Sequence, residues 1–369
     1  MNAVDRLMAS EAAFVHDEAA DALFADAMRE NFTRHYQQCP DYARWCGLHG
    51  VRPSDINGYD DVFRIPHVFV ANFKRRTFIT GAPEKIKLTL TSSGTAGEKS
   101  AIHLDAVTLR RIKQIVRHIY AAYGMVDNEP TNYVCFTYDP KVASDVGTAW
   151  SDKLLTSLTG RGKIFYALRW VDSVKNFQFD EDGCHKALDR FQREGRPVRL
   201  LGFPAIIWEM LSDRRRTYQM HPNSYVIIGG GWKTKADREI PKQRFRDEVG
   251  RWLGIEPTRV RDLYGMVEHG VPYCECEHGH MHVPIYSRVV ARDPATLQAL
   301  PEGETGLLHM YTPYLNSFPA LSLLTSDRGS LDHACPCGRP APRLHLLGRA
   351  GTTRQRSCAV AALDVIGAA

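Results

Sequence analysis

Ile86, Leu88 and Leu90 alternate with Lys87 and Thr89, a period of two that predicts a short strand ending where hydroxyls and glycines begin. Upstream, residues to about position 37 carry apolar side chains at helical spacing without proline or glycine, which predicts a pair of N-terminal helices. Downstream, Leu109, Ile112, Val116, Ile119 and Tyr123 recur at helical spacing, with Arg110, Arg111 and Lys113 expected on the opposite face. Strand-like runs then alternate with helix-like ones: a strand Tyr133 to Thr137, a helix near Ala149 to Thr159, and a strand near Lys163 to Tyr166. Arg199 to Phe203 and Tyr225 to Gly229 read as buried strands, each followed by helical sequence. Such alternation predicts an α/β fold with mainly parallel strands. From about Pro284 short strands take over, Ile285 to Ala291 and Gly306 to Thr312, joined by turns such as Pro301 to Glu304. The expected organisation is an α/β core over 1–283, a smaller β-rich subdomain over 284–348, and a short tail over 349–369.

With 369 residues, 44% of them apolar and 24% charged, the chain can bury a large core and has the composition of a soluble globular protein. No apolar run approaches a membrane span, and Asp5, Glu11, Asp17 and Glu18 spoil any signal-peptide pattern, so a cytoplasmic location is expected. The net charge of +5 is spread along the chain and does not argue for a nucleic-acid partner. Nine cysteines are too few and too irregular for a disulfide framework. Cys274, Cys276, Cys335 and Cys337 instead form two C-x-C pairs, and Cys358 stands alone near the end.

Four motifs carry chemistry. The predicted strand runs into Thr91-Ser92-Ser93-Gly94-Thr95-Ala96-Gly97-Glu98-Lys99-Ser100, where hydroxyls, backbone N–H groups and one ammonium suit a polyphosphate. Only two residues separate Gly94 from Gly97, so this is not a Walker loop. Gly229-Gly230-Gly231 after Val226-Ile227-Ile228 lets backbone approach a flat ligand closely, although a tight turn is the blander account. Asp262-Leu263-Tyr264-Gly265-Met266-Val267-Glu268 supplies an aromatic ring, a glycine and a carboxylate suited to Mg²⁺. In Leu324 to Gly329, Asp327 precedes an expected turn and is placed to accept both hydroxyls of a ribose.

In order and spacing these motifs resemble the adenylate-forming superfamily, from the phosphate loop through Gly348-Arg349. The resemblance implies that Thr91, Ser92, Ser93, Thr95 and Lys99 hold the polyphosphate of ATP, with Gly94 and Gly97 shaping the loop. It implies that Gly229, Gly230, Gly231 and Tyr264 frame adenine beside Gly265, that Glu268 ligates Mg²⁺, and that Asp327 with Arg349 holds the ribose. Leu200 to Leu211, with Phe203 and Trp208, either borders an acyl tunnel or is ordinary core.

Tyr273 to Pro284 and the later Cys335-Pro-Cys337 suggest a tetrahedral Cys₃His zinc site of the structural kind. Cys276 and His282 flank a turn, while Cys274, His278 and His280 are rival ligands. A similar pair of elements in the phenylacetate-CoA ligase branch favours Cys276, His282, Cys335 and Cys337.

Only twenty residues follow Arg349 where most relatives continue into a lid domain, so the expected fold lacks that lid and the lysine it supplies; Lys233 or a partner's cation would stand in. That ending, with Cys358 between Arg356 and small residues, and the Ile65-Pro66 to Phe73-Lys74 segment resemble the acyl-protein synthetase (LuxE) family. The resemblance implies activation of a carboxylic acid, a fatty acid in that family, as an acyl-adenylate, then transfer to Cys358 as a thioester and onward to a partner reductase or carrier protein. An acyl-CoA ligase is the alternative activity, and a zinc-bearing scaffold with a vestigial nucleotide site is the non-enzymatic one.

Overall fold

The computed structural model describes residues 1–91, 101–139, 147–171, 176–213, 216–232 and 238–350. Helices α1 (Ala3–Ala9), α2 (Glu18–Gln38) and α3 (Pro40–Leu48) open the chain. The predicted pair is thus three helices, because Asn2 and Asp17 each cap a separate start and Pro40 begins the third at its first turn. Strand β1 (Val68–Phe69) and helix α4 (Asn72–Arg75) precede the antiparallel hairpin β2 (Ile86–Thr91) and β3 (Ala101–Asp105), which carries the glycine-hydroxyl loop. Then follow α5 (Ala106–Ala122), β4 (Pro130–Tyr138), α6 (Gly147–Leu155), β5 (Gly160–Val171), β6 (Asn176–Phe179), α7 (Glu181–Glu194), β7 (Val198–Gly202), α8 (Pro204–Asp213), β8 (Tyr225–Gly229), α9 (Lys242–Leu253) and β9 (Val260–Tyr264). Six strands close the described chain: β10 (Tyr273–Cys274), β11 (Met281–His282), β12 (Arg288–Arg292), β13 (Gly306–Tyr311), β14 (Ser322–Asp332) and β15 (Arg343–Arg349).

A seven-stranded sheet runs β10-β9-β8-β7-β4-β5-β6, and its five central strands are parallel. Side chains on alternate sides of each strand feed two cores. Tyr133, Cys135, Leu201 and Ile227 join α1, α2 and α5 on one face, whereas Val134, Phe136, Leu200, Val226 and Ile228 join α7, α8 and α9 on the other. Covering both faces explains why these strands read as continuous apolar runs. Gly202 is required by close approach, since a Cβ there would lie 2.5 Å from Phe136 Cβ. In α5, Arg111 departs from its expected solvent face: it is 3% exposed, its Nε donates to Asp5 Oδ1 at 2.8 Å, and Nη1 donates to the Tyr314 carbonyl. An ion pair with α1 and a carbonyl partner satisfy the buried guanidinium.

The second sheet runs β11-β15-β14-β13-β12, with β1 added in parallel against Leu323 and Leu324 of β14. The strand expected from Ile285 starts instead at Arg288, because Ser287 N–H bonds back to the Pro284 carbonyl in a turn. The segment Leu324 to Gly329, expected to precede a turn, lies within β14 and passes through a bulge between Arg328 and Gly329. The two sheets meet through the Cys274-to-Met281 connection, whose β10 pairs with β9 and whose β11 pairs with β15.

Candidate active site

Open parallel sheets bind ligands beyond the C-terminal ends of their strands. There, Gly202, Gly229 and Tyr264 end β7, β8 and β9 side by side. Gly230 and Gly231 turn away from β8 with φ of 80° and 67°, a left-handed backbone that glycine adopts at little steric expense.

Tyr264, Asp327 and Arg349, separated in sequence, come together where the two sheets meet. The Tyr264 hydroxyl donates to Asp327 Oδ2 at 2.8 Å, and Arg349 Nε donates to Oδ1 at 3.2 Å. Asp327 and Arg349 are also register partners across β14 and β15. Asp327 is 8% exposed, and its strand is fixed by Thr325, whose Oγ1 donates to the Leu308 carbonyl and accepts the Asp327 N–H. Burial, reinforced by the Asp327 charge, pushes the Tyr264 phenol well above its usual range, so it remains a donor.

Beneath Tyr264 lies support that the motif reading missed. The Tyr273 ring packs tilted against Tyr264 at 5.9 Å, and its hydroxyl bonds His269 Nε2 at 2.8 Å and Ser287 Oγ at 2.7 Å. His269 also stacks on Tyr273, four residues on, a spacing that was the available signal. Glu268 is buried beside it, on the turn after β9, at 6% exposure. Gly265 has open space where a Cβ would project. The expected polyphosphate residues Ser92, Ser93, Gly94, Thr95, Gly97 and Lys99, together with Lys233 and Cys358, lie outside the described residues; of Thr91 only the strand backbone is described.

Burial holds His269 and His35 at a pKa of about 3. The unfolded chain protonates both near pH 6.5, so it binds more protons than the folded chain below that pH. Stability is therefore expected to be full above about pH 6.5 and to fall towards pH 3, by up to about 1.4 kcal/mol per pH unit for each histidine. Urea midpoints measured from pH 7.5 to 4 check this; a flat profile contradicts it.

Cys276 Sγ, a ring nitrogen of His282, Cys335 Sγ and Cys337 Sγ all lie within 4.8 Å of one another. Cys276 comes from the connection between β10 and β11, His282 from β11 itself, and Cys335 and Cys337 from the link between β14 and β15. The Cys276 and Cys335 sulfurs are 3.8 Å apart, the span of two tetrahedral bonds of about 2.3 Å. His282 Nδ1 faces the Ala341 carbonyl at 3.1 Å, which assigns the proton to Nδ1 and leaves Nε2, 3.3 Å from Cys337 Sγ, with its lone pair inward. Of the rivals, Cys274 is buried with its Sγ directed at the Glu275 carbonyl, and His278 lies on the turn outside the group. His280 flanks the group, with Nδ1 3.2 Å from Cys335 Sγ.

Phe203, Ile206, Ile207, Met210 and Leu211 belong to the buried core under α8, and Trp208 stacks on Phe245 and packs edge-on to Trp252. In this structure the stretch packs into the core on that face of the sheet. No described helix is long and apolar enough to cross a membrane.

Tyr264→Phe removes a hydrogen bond to a buried carboxylate, worth about 1.5–3 kcal/mol. Steady-state kinetics are expected to show KM for ATP raised about tenfold or more, with a smaller change in kcat. A change under twofold contradicts the expectation that Tyr264 serves a nucleotide site.

Several known proteins are similar to this chain. A long-chain-fatty-acid–luciferin-component ligase of Vibrio harveyi is 25% identical over 88% of this chain and 83% of its own length. Its Aliivibrio fischeri counterpart is 24% identical over 92% and 87% respectively. A phenylacetate-coenzyme A ligase of Thermus thermophilus is 23% identical over 90% of this chain and 71% of its own. Among solved structures, a 2-hydroxyisobutyryl-CoA ligase in the thioesterification state aligns with a TM-score of 0.71 at 17% identity, over 94% of this chain and 72% of that one, a likeness of fold. The family model for acyl-protein synthetase, LuxE, matches residues 2–366, and the chain belongs to that family as an AMP-forming ligase that activates acyl groups by adenylation.

Proposed function

We propose that this chain adenylates a long-chain fatty acid with ATP and Mg²⁺ and then transfers the acyl group to the Cys358 thiol, for delivery to a reductase or carrier protein. The substrate carboxylate attacks the α-phosphorus and expels pyrophosphate; the thiolate then attacks the acyl carbon and expels AMP. The buried Asp327, held between Tyr264 and Arg349 at the ends of the parallel strands, is the observation that carries the reading, because it offers a ribose both acceptor oxygens. Thr91, Ser92, Ser93, Thr95 and Lys99 hold the polyphosphate, and Glu268 ligates Mg²⁺. Catalysis rests on positioning and on neutralising charge at phosphorus. The acyl chain class is taken from the names of the luciferin-component ligase relatives.

Cys276, His282, Cys335 and Cys337 hold a zinc ion, a role supported by their donor set and mutual spacing. Four protein ligands leave no open coordination position, so the ion is structural. None of the eight described cysteines is joined in a disulfide, which supports a reducing, cytoplasmic setting.

The second reading, an acyl-CoA ligase, is favoured by the phenylacetate-CoA ligase relative. Acid-dependent exchange of labelled pyrophosphate into ATP tests adenylation for both readings. Loss of exchange across short, long and aryl acids overturns both and leaves a binding protein. Incubation with labelled acid and ATP separates the two: label on protein supports the proposal, whereas acyl-CoA without labelled protein supports the second.

A further inference from the structure

His280 stands beside the cysteine cluster without belonging to it. Its Nδ1 lies 3.2 Å from Cys335 Sγ, yet the donor atoms that converge come from Cys276, His282, Cys335 and Cys337. The backbone of a proposed ligand fixes it in place, because the His280 carbonyl accepts the Cys276 N–H at 2.8 Å.

The neighbour on the far side of the ring decides what His280 does. Arg343 Nη1 lies 3.5 Å from His280 Nε2, the outer limit of a hydrogen bond, and a guanidinium only donates. Asp332 keeps the guanidinium there: Nη2 donates to Oδ2 at 2.6 Å and Nε donates to Oδ1. The other ring at this carboxylate is His345, whose Nε2 meets Oδ2 at 2.9 Å. A proton on His280 Nε2 would point at the Arg343 cation, so Nε2 keeps its lone pair and the proton sits on Nδ1. Nδ1 then faces Cys335 as a donor and not as a lone pair for a metal.

The sulfur has use for a donor. Three thiolates carry one negative charge more than a divalent ion cancels. Cys276 and His282 are buried, whereas Cys335 is half-buried between exposed Ala334 and Pro336. A hydrogen bond to a metal-bound thiolate spreads its charge and makes the sulfur less ready to leave the ion.

We propose that His280 is a positioning residue of the metal centre: from outside the coordination shell it donates Nδ1–H to the metal-bound Cys335 sulfur, and Asp332, through Arg343, holds it in that tautomer. This rests on the zinc reading above and gives a role to a histidine that coordination leaves over. A chain of side chains thus runs from Asp332 at the end of β14, through Arg343 of β15 and His280, to Cys335.

The test uses the full chain loaded with zinc or with cobalt(II), whose thiolate charge-transfer band reports on the sulfur lone pairs. His280→Leu is expected to keep about one metal per chain but to hold zinc about tenfold less tightly against a competing chelator. Its cobalt band should move to longer wavelength, because a sulfur freed of a hydrogen bond gives up charge more easily. His280→Asn, whose amide N–H stands where Nδ1–H stood, should restore both the band and the affinity. A merely structural role would weaken both variants alike and leave the band in place. On the zinc-loaded wild-type protein, NMR of nitrogen-labelled histidine is expected to show the His280 proton on Nδ1 and none on Nε2, with His280→Asn identifying the signal. A proton on Nε2, an unmoved cobalt band in His280→Leu, or loss of all metal from that variant overturns the proposal, the last by making His280 a ligand. A wild-type chain that takes up neither metal overturns the zinc reading and this proposal together.

Discussion

Cys358→Ser is expected to abolish covalent labelling of the protein by radiolabelled fatty acid and ATP while pyrophosphate exchange continues near the wild-type rate. The two steps use different atoms. Adenylation needs the carboxylate, ATP and the nucleotide site; in the proposed reaction the thiol enters only when acyl-AMP is already formed. A free cysteine has a pKa of about 8.5, so a few per cent of such a thiol is thiolate near neutral pH. Serine is a far weaker nucleophile at that pH. Label on the wild-type protein should be released by neutral hydroxylamine, as a thioester is. Label that survives in Cys358→Ser moves the acyl carrier to another residue. Exchange lost together with labelling indicates instead that the substitution damages adenylation.

The second large effect is expected at the cysteine cluster. Cys335→Ser should reduce zinc from about one per chain to near zero, lower the melting temperature by several degrees, and depress pyrophosphate exchange as well. Structural zinc contributes apparent free energies of about 10–16 kcal/mol in small isolated domains. Here the ion would join the β10–β11 connection, which bridges the two sheets, to the link between β14 and β15. Those same strands carry Asp327 and Arg349, so loosening the link should shift the proposed ribose acceptor. Metal analysis, calorimetric melting and exchange on one preparation check all three. A zinc-free wild-type protein with an unchanged melting temperature contradicts the assignment.

What could be read from residue order was what depends on near neighbours. The β2 strand, the α5 helix and the buried β7 and β8 strands are announced by periodicity, because each buries one or both faces against layers that any α/β fold supplies. Contacts across long separations were not announced. Tyr264 meets Asp327 by a side-chain hydrogen bond between strands of two different sheets, and Arg111 turns inward because α1 provides Asp5, 106 residues earlier. Periodicity gives the spacing of a helix face but not which helix lies opposite. Among the cysteines, C-x-C spacing marked a metal-like pattern but did not by itself choose between His282 and His280; the family resemblance favoured His282, whose ring the carbonyl of Ala341 fixes. His269, Tyr273 and Ser287 went unrecognised as one group because an unpaired polar residue in a strand looks the same whether it supports a site or faces water.

The pairing of β1 with β14 sets a timetable for synthesis. Val68 and Phe69 find Leu323 and Leu324 only after some 250 further residues have left the ribosome. His35 waits equally for the Leu315 carbonyl, and Ile285 N–H closes on Ala13. At typical elongation rates of about 5–20 residues per second, these late partners of β1, α2 and the α1–α2 link arrive only after roughly ten to fifty seconds. A nascent chain of this design is expected to fold in higher yield when a holding chaperone shields that segment. Slowing translation after residue 70 should lengthen that delay and lower the yield of active protein.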